Sequence, residues 1–189
     1  MLKKMMLLAS AVAAFAAFAI PATASADTWA DNGVAIGAGV EITQSYEGTL
    51  SFNAGPAGTF GCEVTATIVT NGPGAAQITK FAPTTSTCVG TVAFKGCKLI
   101  KDSSTVPWSV SNATTPLIVT TTATIHNEYE AGSCAGKQTT SHLEFKEIKI
   151  TVEGTNPIQK LTISGSSTEG IPASGSLVPE GTATLGLVN

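Results

Sequence analysis

The chain has 189 residues, with 10 lysines, no arginine and 13 acidic residues, for a formal net charge of −3. A phosphate-binding surface needs a basic patch, usually with arginine forks, so nucleic acid is a poor partner and so is an anionic membrane. Aromatics make up only 6%, too few for the stacked platforms that line most sugar clefts.

The first element is a targeting segment. Lys3 and Lys4 form a positive start, an apolar run extends from Met5 to Ile20, Pro21 breaks it, and Ala24-Ser25-Ala26 fits the small-x-small cleavage rule. The run is about 16 residues, short of the roughly 18 to 20 that span a bilayer. We expect a signal peptide over 1–26, cut between Ala26 and Asp27, and a single secreted domain over 27–189. No later stretch is long and apolar enough to span a membrane, and no cysteine near the cut suggests a lipid anchor.

Downstream, Thr, Ser, Val, Ile and Gly dominate, and short alternating runs lie between Gly, Pro, Asn and Ser clusters, the pattern of an all-β chain. "ADNG", Ala30 to Gly33, reads as a turn; it has too few ligands for a calcium loop. Strands are expected over Val34–Ile42 and Gly48–Phe52. In "FGCEVTATIV", Phe60, Cys62, Val64, Ala66 and Ile68 share one face, while Glu63, Thr65 and Thr67 take the other. "NGPG", 71–74, is a turn signal, so 60–82 reads as a hairpin. Further strands are expected over Gly90–Phe94, Lys98–Lys101, Trp108–Val110, Leu117–Tyr129, Leu143–Val152, Lys160–Ser164 and Thr182–Val188. The Ser-, Gly- and Pro-rich segment 166–181 reads as a long loop or the start of a mobile tail. This strand count suggests a disulfide-stabilised, antiparallel two-sheet β-sandwich, with a β-barrel as the alternative. In "LEFKEIKITV", Leu143 and Phe145 alternate on one parity and Ile148, Ile150 and Val152 on the other, so a β-bulge is expected near Lys146–Glu147.

The four cysteines, Cys62, Cys88, Cys97 and Cys134, all follow the expected cut. An even number behind a signal peptide reads as two disulfides. Three pairings are open. We favour Cys62–Cys88, which would staple the ends of one hairpin, with Cys97–Cys134, which would tie the middle of the chain to the loop after a later strand. A four-cysteine zinc site is disfavoured because no C-x2-C pair occurs.

The most chemically loaded stretch is "IHNEYEAGSCAGKQTTSH", 125–142, which holds both histidines. Leu117, Val119, Thr121, Ala123, Ile125, Asn127 and Tyr129 share one parity; His126, Glu128 and Glu130 share the other, in steps of roughly 6 to 7 Å. With His142 on an antiparallel neighbour these could seed a metal site. Thr120, Thr122 and Thr124 on the same face favour a solvated strand surface, and we expect no metal or other cofactor. "GSCAG", 132–136, mimics a nucleophile elbow with Cys134 in the nucleophile's place, but "KQTTSH" after it is not helical. A glycine-flanked cysteine in a turn accounts for the same residues. Trp29 lies close to the expected mature N-terminus. Trp108, in "VPWSV", shares its parity with Val106 and Val110 and reads as a core anchor. "NAT", Asn112 to Thr114, matches a glycosylation sequon and carries no weight in a bacterial-looking chain.

The layout "EGTLSF … GCEVTATIV … GAAQITKF … C … GC … VPWSV … IHN … C", closed by "SGSLVPEGTATL", resembles small bacterial secreted proteins of the alkane-oxidation-activator (PraB) type and similar actinobacterial secreted β-proteins. The resemblance rests on Cys62, Cys88, Pro107, Trp108 and Cys134. It implies an extracellular accessory or biofilm-associated β-protein without an active site, and it carries over no functional residues.

The expectation is therefore a secreted, non-catalytic domain acting at the cell surface or in the extracellular matrix, with an extracellular partner the sequence does not identify. Competing readings are a carbohydrate- or hydrophobic-ligand-binding module, a matrix subunit that self-assembles by exchanging edge strands, and a hydrolase using His126 or Cys134.

Overall fold

Apolar residues alternate with hydroxyl-bearing ones along most of the chain, and this period of two sets the strands and their inner face. The computed structural model describes residues 28–111, 117–119 and 121–188. The expected signal peptide, its cut at Ala26–Asp27 and the Asn112–Thr114 sequon lie outside them. The described strands are β1 (Thr28–Asp31), β2 (Val34–Ala35), β3 (Glu41–Asn53), β4 (Thr59–Asn71), β5 (Ala76–Pro83), β6 (Val89–Gly90), β7 (Leu99–Asp102) and β8 (Trp108–Ser111). They continue with β9 (Leu117–Val119), β10 (Ala123–Tyr129), β11 (Thr140–Phe145), β12 (Ile148–Glu153), β13 (Lys160–Ser166), β14 (Pro172–Pro179) and β15 (Leu185–Val188).

The main sheet runs β3-β14-β13-β12-β9-β8-β5-β4, and β4 pairs back onto β3, so eight strands close into an antiparallel barrel. β6 adds a short extra pairing to β4. The expected pair of open sheets is not what these pairings give, and the reason is β14. The stretch read as a loop over 166–181 contains this strand, which pairs with β13 on one side and β3 on the other. Without it the sheet would stay open. Two smaller sheets flank the barrel, ordered β15-β1-β2 and β11-β10-β7.

The seam between β3 and β14 is unusually close. A Cβ built on Gly48 would lie 2.0 Å from the Ser176 carbonyl oxygen, and one on Gly175 would lie 2.4 Å from that of Thr49. Both contacts are to backbone, which cannot move aside cheaply. Gly175, one of the residues that made this segment look like a loop, is what lets it meet β3 here, together with Gly48 on β3 itself.

Four other expectations change. Leu117–Tyr129, expected as one strand, is divided between β9 in the barrel and β10 in the small sheet. The segment Val34–Ile42 is not one strand: Val34–Ala35 forms β2 and Glu41 opens β3, which runs on through the expected Gly48–Phe52 as 13 continuous residues matched with β4 from Glu41↔Asn71 to Asn53↔Thr59. Gly90–Phe94 is mostly a short 3-10 turn over Val92–Phe94. The parity switch in "LEFKEIKITV" is not a bulge within one strand. The chain bends at Lys146–Glu147, ending β11 in the small sheet and starting β12 in the barrel, so each half keeps its own buried face.

An eight-stranded barrel is just wide enough for its own side chains to fill. Leu50, Ile68, Trp108, Val119, Ile150 and Leu177 are all buried and surround a residual gap of about 30 Å³, lined solely by apolar residues. The β11-β10-β7 sheet contributes Ile125 and Phe145 to the same interior. Two disulfides clamp the arrangement: Cys62 bonds Cys88, and Cys97 bonds Cys134.

Candidate functional site

The loaded stretch identified in the sequence forms β10 and the turn after it, and β10 alternates strictly between buried and half-buried positions. Ala123, Ile125, Asn127 and Tyr129 face inward; His126 and Glu128 face outward. β11 pairs antiparallel with β10, setting His126 directly opposite His142, with ring centroids 5.8 Å apart in an edge-on arrangement.

The carboxylates turn to the other neighbour. Glu128 Oε1 meets Lys101 Nζ at 3.1 Å and Glu130 Oε2 meets Lys98 Nζ at 3.0 Å. Each pair is exposed and contributes about 0 to 1 kcal/mol, but together they draw Glu128 and Glu130 away from the histidines. Asp102, at the end of β7, is half-buried. Burial raises its carboxyl above the ordinary value, against the opposing pull of the Ser104 hydrogen bonds and of His126. Among the described residues, no three His, Cys, Asp or Glu side chains converge into a group that could hold a metal ion.

Cys134 lies in the turn after β10 with its sulfur bonded to Cys97. Around it Ser133 Oγ accepts from the Lys98 amide at 3.1 Å and donates to the Glu130 carbonyl at 2.7 Å, while the Ala135 amide donates to the Lys95 carbonyl at 3.0 Å. The glycine-flanked cysteine is thus the anchor of a two-loop joint. Trp108 is buried inside the barrel, its ring 5.3 Å from that of Phe81, so it offers no platform to a ligand.

The inner face of the same sheet holds what the sequence reading passed over. Where β10 and β11 approach the barrel strands β3 and β4 they leave a crevice of about 220 Å³. Phe52, Phe60 and Phe94 line it with Leu143 and Ile171, and Asn127, Tyr129 and Ser141 add polar residues on the same inward face. Phe60 stands edge-on to Tyr129 at 5.2 Å and tilted against Phe94 at 5.9 Å. The Tyr129 hydroxyl lies 3.1 Å from Ser141 Oγ and also interacts with the Asn127 side chain. Asn127 is only 4% exposed, and its Oδ1 has no hydrogen-bond partner. The signal was present in the parity: Asn127 is the one amide on a face otherwise formed by Leu117, Val119, Thr121, Ala123, Ile125 and Tyr129.

No family model, curated protein or solved structure matches the chain. The likeness to the alkane-oxidation-activator type therefore rests on the residues quoted for it alone.

Proposed function

We propose that the protein is a non-catalytic extracellular accessory factor, held at the cell surface or in the surrounding matrix, whose barrel serves as a rigid body. The disulfide framework carries this reading. Two bridges are typical of proteins in oxidising compartments, and among the described residues no helix is long and apolar enough to cross a membrane. The same framework engages Cys134, the candidate nucleophile, and leaves no free cysteine among the described residues. Ring closure also withdraws the main-sheet edges that strand exchange would use, so a matrix role would run through surface contacts.

The test is localisation in the cells that encode the protein, by antibody, with thiols counted in the recovered material. Oxidised protein retained at the surface or in the matrix is the expected result. Reduced protein in the cytosol would overturn the reading, and so would hydrolytic activity that disappears when Cys97 and Cys134 are both replaced by Ser.

A further inference from the structure

Val92 is held in the left-handed region, with φ +50°, yet its side chain is 62% exposed. A β-branched residue is a clear outlier there and costs free energy, and a side chain in solvent gains no packing to offset that cost. Its surroundings do not let it relax. The Lys95 amide donates to the Val92 carbonyl at 3.2 Å, and the Ala135 and Gly136 amides donate to the Lys95 and Ala93 carbonyls, both at 3.0 Å. The Cys97–Cys134 bridge ties the same two loops together. Exposed Val89 precedes this knob in β6. Lys95 and Lys137 flank it, both exposed, and neither belongs to any of the four ion pairs among the described residues.

The far end of the β3–β4 hairpin has the complementary character. β6 pairs with β4 near its start, at Phe60 and Gly61, whereas the other end of the hairpin is the Glu41↔Asn71 pair. From Gly61 to Asn71 is ten residues of strand, or roughly 33 Å at about 3.3 Å each. At that end Val34 and Val40 are exposed. Asp31 stands opposite Val34 in the β1–β2 ladder, and exposed Glu41 follows Val40. The Trp29 amide donates to the Pro73 carbonyl and the Gly72 amide to the Val40 carbonyl, which fixes both segments to the turn after β4. Neither Asp31 nor Glu41 belongs to one of the four ion pairs.

We propose that the partner is a second copy of this chain: the Val89–Val92 knob of one copy docks on the Val34–Val40 patch of the next, with Lys95 and Lys137 facing Asp31 and Glu41. Charge selects this occupant. Each surface couples exposed valines to unpaired charges, and the two signs are opposite. Complementary charges around an apolar contact set its register and suppress the wrong pairing, here knob to knob. Because the two surfaces are different parts of one chain, the contact is heterologous and repeats head to tail. It supplies the surface contact of the matrix role and rests on that reading for its setting, while purified protein tests it by itself.

The experiment is sedimentation velocity of the oxidised mature protein over a concentration series. Mass is expected to rise with concentration at low salt and to fall back toward the monomer at high salt. Lys95→Glu with Lys137→Glu should stay monomeric, and so should Asp31→Lys with Glu41→Lys. An equimolar mixture of the two double variants should assemble again, since each reversed surface then meets a complementary one. Val92→Gly should raise the melting temperature by relieving the backbone, yet weaken association about tenfold by removing the buried side chain. Should the Asp31 and Glu41 variant fail to fold, Glu41→Lys alone takes its place. A monomer at every concentration overturns the proposal, as do double variants that assemble like the parent or a mixture that stays monomeric. Cytosolic protein that assembles head to tail would end the matrix reading and leave the contact standing; matrix protein that never assembles would do the reverse.

Discussion

His126 and His142 face one another across the β10–β11 ladder, 5.8 Å between ring centroids, while the carboxylates that share their strand face are paired with Lys101 of β7 and with Lys98 just before it. Two imidazoles with no convergent third donor among the described residues make a poor cage for zinc, and a metal bound only to the folded state at a hundredfold excess over Kd would add about 2.7 kcal/mol of stability. We expect zinc or calcium to leave the melting temperature unchanged. A rise of several degrees that vanishes in His126→Ala would show that the histidines act together as ligands.

Removal of either disulfide is expected to cost about 2 to 5 kcal/mol. The two loops span sequence separations of 26 and 37, and chain entropy alone makes the longer one worth only about 0.3 kcal/mol more. Packing should therefore decide the ranking. Cys97 and Cys134 are both buried, whereas Cys88 is only partly so, so Cys97→Ala with Cys134→Ala should be the more damaging pair. Urea unfolding of the two double variants measures the order, and the reverse ranking would contradict it.

Trp108 separates volume from hydrogen bonding. Its ring fills the barrel, but its Nε1 is buried without a partner. Trp108→Ala should cost about 3 to 5 kcal/mol. Trp108→Phe keeps a ring and discards the orphan N–H, so its cost should stay under about 1.5 kcal/mol. Comparable losses in both variants would mean that the indole nitrogen is satisfied after all.

Both tyrosines should resist ionisation. Burial raises the Tyr46 hydroxyl far above its ordinary value of 10.0, and burial also raises that of Tyr129 against the opposing hydrogen bonds. A group whose acid form is favoured by folding contributes stability below its unfolded value, and that contribution is lost as pH climbs beyond it. Stability should therefore be insensitive to these groups below pH about 10 and decline above it. Phenolate absorbance near neutral to mildly alkaline pH should stay silent and then rise together with loss of folded structure. Early, independent ionisation of Tyr46 in a folded protein would show it to be solvated.

At the barrel seam, Gly175→Ala places a methyl carbon against the Thr49 carbonyl and should destabilise by about 1 to 3 kcal/mol through overpacking. Alanine at Gly170, where nothing lies within 4 Å of a built Cβ but φ is +79°, is the comparison. Its cost is conformational and local, about 1 kcal/mol. Thermal melts of the two variants should differ in that order.

How much of this was legible depends on which force set each feature. The 60–82 hairpin follows from side-chain alternation and a turn motif, both local, and it forms β4 and β5 nearly as written. β14 could not be found that way. "PASGSLVP" lacks a strong apolar period because Gly175 is selected by the approach of β3, a partner more than a hundred residues away in sequence. The bend at Lys146–Glu147 left a trace, the change of parity, but a bulge and a change of sheet produce the same trace, and tertiary packing alone separates them. The polar half of the loaded stretch drew attention because of its chemistry, whereas Asn127 was hidden by its apolar company.

Closure through β14 also imposes a schedule. During synthesis from the N-terminus, β3 and β4 emerge about 100 residues before their ring can be completed, a wait of about 5 to 20 s at ordinary elongation rates. For that interval one edge of β3 has no partner and is open to pairing with other chains. The exposed Glu41 and Glu47 lie along that strand, where charge discourages such encounters. Cys62 and Cys88 both precede β14 in the chain, so the first covalent staple draws on no residue of the strand that closes the ring. The last native contact of the barrel wall then becomes the step most sensitive to premature termination, because a chain stopped before residue 172 would retain the hairpin and the Cys62–Cys88 bridge but could never bury the β3 edge.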